Sequence, residues 1–101
     1  MGPGHPECPE RLSAINDRLI ASGLDMALRH YDAPLVDDAL LERVHDRSYL
    51  DDLEQRSPSE GTVWVDADTT MGPHTLRAAR RAAGAVALGV DLAMAGEANR
   101  V

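Results

Sequence analysis

Residues 73–96 read PHTLRAARRAAGAVALGVDLAMAG and form the longest periodic stretch of the chain. Apolar residues recur at helical intervals, which predicts one amphipathic helix from about Pro73 or His74 to Ala95, ended by Gly96. The predicted buried face contains Leu76, Ala79, Ala83, Val86, Val90 and Met94. Because several residues in its middle are Ala or Gly, another element must lie close against this helix. That is typical of a helix covering a parallel sheet, although a helix-bundle contact would give the same pattern.

Shorter elements precede this helix. A helix is predicted from about Pro9 to Ser22, because Pro9 suits a first turn and Gly23 can cap the end. The remaining predictions are a strand at 26–31, a helix from about Asp37, a short helix capped by Ser48, a loop at 57–61, an extended segment at 62–65 and a polar loop at 66–70. Helices with short strands and no repeat predict an α/β protein, mostly helical, whose parallel sheet lacks partner strands.

The bulk composition limits the class of protein. A chain of 101 residues is the size of one domain, and 44% apolar residues can form a core. The net charge of −7 argues against a nucleic-acid surface, which needs a clustered basic face. One cysteine fits a reducing compartment, and no stretch predicts a signal peptide or a membrane span. The expectation is a soluble cytoplasmic protein.

The segment GHPECPERL, residues 4–12, combines stiffness with reactive side chains. Two prolines three residues apart reduce the entropy cost of holding His5 and Glu7 in place, and Arg11 projects from the first helical turn. This suggests a rigid loop lining a pocket, but a simple proline-rich turn fits equally well. Three ligands within residues 5–8 do not match a zinc site.

Two carboxylates, Asp66 and Asp68, follow the extended segment. Open α/β sheets place ligands beyond the carboxyl ends of their strands, so this pair is a candidate binding site. The two side chains could hold magnesium or calcium, or one could cap a turn while the other is solvated. No Ser-His-Asp set, CxxC, glycine-rich phosphate loop or HExxH pattern occurs. The residues themselves therefore predict no complete catalytic site.

Three segments in order carry a resemblance: GHPECPERLSAI, LLERVHDRSYLDDL and VDADTTMGPHTLRAARRAAGAVALGVDLAMAGE. They closely resemble the N-terminal part of the zinc-dependent histone deacetylase superfamily. The bacterial class-II-like deacetylases, grouped with acetylpolyamine amidohydrolases and acetoin-utilization proteins, are most similar. The resemblance covers nearly the whole chain. It implies the open, mostly parallel arginase/deacetylase fold and hydrolysis of acetyl groups from acetyl-lysine or acetylated polyamines.

The resemblance also implies roles for individual residues. His5 and Pro6 match a loop at the pocket rim. Arg11 matches an arginine beside the channel where acetate is thought to leave, and a guanidinium suits a carboxylate. Asp66 matches a rim aspartate that accepts hydrogen bonds from substrate N–H groups, with Asp68 as the alternate.

The reaction centre implied by the family is absent from these residues. Its zinc ligands, two Asp and one His, and its His-His pair belong to segments expected after residues 96–101. The chain therefore looks like an N-terminal segment, 1–101, of one deacetylase domain truncated at both ends, with no catalytic residue and no bound zinc of its own. We expect the isolated chain to be inactive and to meet the rest of the domain, or itself, through exposed helix faces. The alternative is a small non-catalytic helical interaction module or a truncated product without function.

Overall fold

The computed structural model describes all 101 residues and divides them into two compact units, Met1–Tyr31 and Asp32–Val101. In the first unit a nine-residue loop leads into helix α1, Glu10–Ala21. Gly23 then takes a left-handed conformation, with φ of 78°, at the end of α1. The predicted helix and its glycine stop are confirmed.

The predicted strand at residues 26–31 is wrong. Leu24–Ala27 form a short 3-10 helix, and residues 28–31 have no regular structure. The Nε2 atom of His30 lies 3.0 Å from Oδ1 of Asp25, so the chain folds back locally there. A strand needs a neighbouring strand for its backbone hydrogen bonds, and residues 26–31 have none in the sheet.

The second unit contains three helices and a hairpin. These elements are α2 (Asp38–Leu41), α3 (Arg47–Arg56), β1 (Val63–Asp66), β2 (Thr69–Met71) and α4 (Thr75–Met94). The helix start near Asp37, the loop at 57–61 and the long C-terminal helix are confirmed. Asp46, not Ser48, is the N-cap residue of α3. Ser48 lies inside the first turn because the interruption between α2 and α3 ends at Asp46.

The only sheet is the antiparallel pair β1–β2. The polar loop predicted at 66–70 is therefore wrong in part, since Asp66 ends β1 and Thr69–Met71 form β2. The β-branched residues Thr69 and Thr70 favour this pairing. No parallel pair forms, so the predicted position beyond the end of a parallel strand does not describe Asp66 in this chain.

Every side chain of the buried hydrophobic core belongs to the second unit. Val36 and Leu50 are buried, and Met71 is only 2% exposed. These three residues come from the segment before α2, from α3 and from β2. The core is therefore assembled from distant parts of residues 32–101.

Backbone, rather than a side chain, covers the middle of α4. A Cβ atom on Gly84 would collide with the carbonyl oxygen of Pro34 and would lie 2.9 Å from its carbonyl carbon. The backbone N–H of Val36 donates to the carbonyl oxygen of Arg80 at 3.1 Å. The predicted close neighbour is confirmed, but it is an irregular segment and not a strand of a parallel sheet.

The predicted buried face of α4 is mostly wrong, because Leu76 and Ala83 are only half-buried and Ala79 is exposed. Val86 is 69% exposed, Val90 56% and Met94 84%, while the buried positions of the helix are Gly84 and Gly89. Periodicity correctly predicts which side chains share a face. It does not predict whether another element covers that face.

An ion-pair network joins the three helices of the second unit. The Arg80 guanidinium on α4 donates to Oδ1 of Asp38 at 2.5 Å and to Oε1 of Glu54 at 2.6 Å. Asp38 also accepts a hydrogen bond from Arg47 at 2.9 Å. These two arginines hold the pKa of the Asp38 carboxyl below its usual range, Arg80 having the larger effect.

Candidate functional site

The first candidate residues lie in the loop that precedes α1. Residues 1–10, except Pro6, surround an open cavity of about 560 Å³. His5 is half-buried there, and its Nδ1 accepts a hydrogen bond from the backbone N–H of Glu7 at 3.0 Å. Pro6 is exposed and does not line this cavity. The stiff loop predicted from its prolines is thus also closed by a local hydrogen bond.

Arg11 lies in the first turn of α1 and forms an ion pair with Glu7, four residues earlier. Both side chains are more than half exposed. The guanidinium is therefore directed back along the loop that contains His5. This contact restrains Arg11, but an exposed pair of this kind contributes little to stability.

Cys8 is half-buried and its thiol donates a hydrogen bond to Glu10. The pKa of the Glu10 carboxyl is lowered, first by a backbone N–H and then by this thiol. All these contacts join residues at most four positions apart. The geometry of the first loop is therefore set locally.

The second candidate pair lies in the hairpin of the other unit. Asp66 is the last residue of β1, and its Oδ1 accepts a hydrogen bond from the backbone N–H of Asp68 at 2.9 Å. That bond is the largest cause of the lowered pKa of the Asp66 carboxyl, followed by a hydrogen bond from the Thr69 hydroxyl. Asp66 is consequently ionised at neutral pH and closes the turn to β2.

Asp66 and Asp68 are both exposed, on either side of Ala67. The alternative in which one carboxylate closes the turn is confirmed for Asp66. A carboxylate held in this way remains accessible to solvent and can accept a further hydrogen bond from a donor. The Asp66 side chain is thus both charged and exposed to solvent.

Comparison with known proteins identifies the family. Residues 5–101 match the sequence model of the histone deacetylase domain. The chain belongs to the histone deacetylase family. It is also 34% identical over 96 residues to a curated protein of Pseudomonas aeruginosa named histone deacetylase-like amidohydrolase. That match covers 95% of this chain and 25% of the relative, so the chain spans about a quarter of the relative's length.

The residues of this chain do not form a site for the zinc ion that the histone deacetylase family generally uses. No group of three or more His, Cys, Asp or Glu side chains lies close enough together to hold a metal ion. Two of the candidate ligand atoms already have local hydrogen bonds. Nδ1 of His5 accepts from the backbone N–H of Glu7, and Oδ1 of Asp66 accepts from the backbone N–H of Asp68. We therefore assign no reaction step on a metal to these residues.

One further residue, which contacts the hairpin β1–β2, was not predicted from the sequence. Arg56, the last residue of α3, donates from Nη2 to the carbonyl oxygens of Trp64 at 2.9 Å and Val65 at 3.0 Å. A basic residue in the last turn of a helix is a common pattern and gives no sign of such a contact. Only the fold shows that α3 ends beside β1.

No helix of the chain is both long and apolar enough to cross a membrane. This finding agrees with the composition of α4, the longest helix, which contains three arginines and an aspartate.

Proposed function

We propose that this chain is the N-terminal segment of a deacetylase domain that hydrolyses the N-acetyl amide of acetyl-lysine or of an acetylated polyamine. The observation that carries the proposal is the family match over residues 5–101. The printed name of the Pseudomonas aeruginosa relative, an amidohydrolase, supports the same reaction class. Within that domain the chain forms part of the substrate entrance, and the groups that carry out hydrolysis belong to the remaining polypeptide.

Asp66 is the proposed substrate-binding carboxylate, with Asp68 as the alternate. Two properties of Asp66 support this role: its lowered pKa keeps it ionised, and its exposed position at the hairpin turn leaves it open to N–H donors of a substrate. A hydrogen bond to an ionised acceptor is stronger than one between neutral groups. Asp66 positions the substrate and transfers no proton.

His5 and Pro6 are proposed to form another part of the entrance, and Arg11 to contact the departing acetate. The local hydrogen bond of His5 and the ion pair between Arg11 and Glu7 support this by restraining the loop. A guanidinium offers two parallel donors to a carboxylate, so Arg11 has suitable chemistry for acetate. In this proposal zinc belongs to the complete enzyme, held by residues outside this chain.

A second candidate function is a non-catalytic interaction module. The exposed apolar side chains of two helices favour it: Leu12 is 73% exposed on α1, and Met94 is 84% exposed on α4. Such faces mark interaction sites in soluble proteins when they are contiguous. In the first proposal the same faces are covered by the rest of the deacetylase domain.

A chimera tests the first proposal. The quarter of the Pseudomonas aeruginosa relative that this chain matches is replaced by residues 1–101, and the chimera is assayed with zinc on an acetyl-lysine peptide and on an acetylated polyamine. We expect turnover by the chimera and none by the 101-residue chain alone. In the chimera, Asp66→Asn should raise KM with kcat little changed, because it removes binding without touching the reacting groups.

Three results would contradict parts of this proposal. Turnover by the isolated chain would show that it contains a reaction centre. A folded, zinc-loaded chimera without activity would favour the interaction module. An unchanged KM in Asp66→Asn, with a raised KM in Asp68→Asn, would assign the binding role to Asp68.

A further inference from the structure

The hairpin that carries Asp66 contains an irregularity immediately before it. Val63 pairs with Met71 and Trp64 with Thr70, but Asp66 pairs with Thr69. Val65 is therefore the extra residue of a β-bulge and has no partner in the ladder. A bulge changes the direction of the side chains that follow it, so it sets where Asp66 points.

Arg56 donates hydrogen bonds to backbone carbonyl oxygens at this bulge. Its Nη2 donates to two consecutive carbonyl oxygens, those of Trp64 and Val65, at 2.9 and 3.0 Å. The second of these belongs to the residue without a ladder partner. A carbonyl left without a hydrogen bond in a partly covered position costs free energy, so this contact favours the bulged form over a regular strand.

The Arg56 side chain is itself restrained. Its Nη1 lies 3.5 Å from Oδ2 of Asp52, one turn earlier on α3, and the side chain is 39% exposed. The guanidinium thus links the end of α3 to the strand that ends in Asp66. Its positive charge also contributes, as the smallest of several causes, to the lowered pKa of the Asp66 carboxyl.

We infer that Arg56 is the positioning residue for Asp66, because it fixes the β-bulge that directs this carboxylate toward the substrate. The part of this inference that concerns the substrate rests on the proposed function. The contact between Arg56 and the bulge is independent of that proposal. Arg56 contacts no reacting atom, so it is a positioning residue and not a catalytic one.

The first test uses the 101-residue chain and NMR. The variant Arg56→Met keeps an unbranched apolar side chain like the aliphatic part of Arg56 but removes its donors and its charge. We expect the pKa of the Asp66 carboxyl to rise, and the cross-strand contacts of Asp66 with Thr69 to be lost or shifted. Arg77→Met is the matched control, because Arg77 is exposed on α4 and donates to neither carbonyl oxygen, and it should change neither signal.

The second test measures kinetics in the chimera. Arg56→Met should raise KM about 3- to 10-fold while kcat stays nearly constant, since a misdirected Asp66 weakens binding only. In an Asp66→Asn background the same change should have no further effect on KM. Arg56→Lys keeps the charge without the planar guanidinium and should lie between the parent and Arg56→Met.

The outcomes separate the inference from the proposed function. If Asp66→Asn raises KM and Arg56→Met does not, the inference is overturned and the proposed function stands. If Arg56→Met shifts the Asp66 signals by NMR but neither variant changes KM, Asp66 does not bind the substrate and only the positioning contact remains. An unchanged Asp66 pKa and unchanged cross-strand contacts in Arg56→Met overturn the inference directly.

Discussion

The two units of this chain differ in how far their apolar side chains are buried. In Met1–Tyr31 no side chain is buried, although α1 has an apolar stripe in which Leu12 is 73% exposed. In Asp32–Val101 three hydrophobic side chains are buried, including Met71 at 2% exposure. Both units contain amphipathic helices. Amphipathicity is therefore enough to predict a helix, but burial requires a partner surface that only the second unit provides.

The same difference applies to the candidate site residues. His5 and Arg11 are held by contacts with Glu7, two and four residues away. Asp66 lies in a hairpin whose bulge is bonded to Arg56, on the preceding helix. The first loop is thus a local structure, whereas the direction of Asp66 depends on tertiary packing.

The largest expected difference between the units is the effect of truncating a methionine. Met71→Ala should lower the free energy of unfolding by about 2–5 kcal/mol, because it removes the most buried side chain and leaves a cavity. Met26→Ala is the matched control in the first unit. Met26 is 92% exposed, so its loss should change stability by no more than about 0.5 kcal/mol. Urea denaturation followed by circular dichroism measures both, and equal effects would contradict the comparison.

A smaller effect is expected where backbone covers α4. Gly84→Ala should destabilise the second unit by about 1–3 kcal/mol, since the added methyl collides with the Pro34 carbonyl and the clash outweighs the gain in helix propensity. In Gly72→Ala the nearest atom to the new Cβ is 3.6 Å away, so this control should be close to neutral. Thermal unfolding of both variants checks the prediction. A Gly84→Ala protein as stable as the parent would show that the segment 34–36 does not lie against α4.

The smallest effect is the pH dependence of the Arg80 network. Because the pKa of Asp38 is lowered in the folded state, chiefly by Arg80, the unfolded state binds more protons as the pH falls below about 4. The stabilisation is therefore present at neutral pH and lost in acid. Arg80→Met should destabilise the chain at pH 7 and much less at pH 3. Arg77→Met serves as the control, because Arg77 is on the same helix and is exposed. If Arg80→Met lowers the free energy of unfolding equally at both pH values, this ion-pair contribution is excluded.

The sequence predicted much of the secondary structure because helices depend on local patterns. The two longest helices, α1 and α4, begin and end within two residues of the prediction. The pairing of strands was harder to predict. The strand predicted at 26–31 has no partner, and the second strand of the hairpin, Thr69–Met71, was predicted as part of a polar loop.

The candidate site shows the same limit. The motifs of residues 4–15, 40–53 and 65–97 indicated the histone deacetylase family, which the comparisons confirm. The roles of His5, Pro6, Arg11 and Asp66 stay predictions. Arg56 was not predicted, because its two backbone acceptors lie eight and nine residues away and no spacing rule connects a helix end to a bulge.

The sequence by itself determined the two longest helices, the stiff first loop and the family, because each depends on residue types at fixed short intervals or in a fixed order. The tertiary structure alone decided that Met71 is buried, that Gly84 meets the backbone of Pro34, and that Arg56 holds the bulge before Asp66. Those contacts join residues of different elements, and no fixed spacing along the chain relates the two partners. Burial and long-range hydrogen bonds therefore depend on how the elements pack, which local periodicity does not encode.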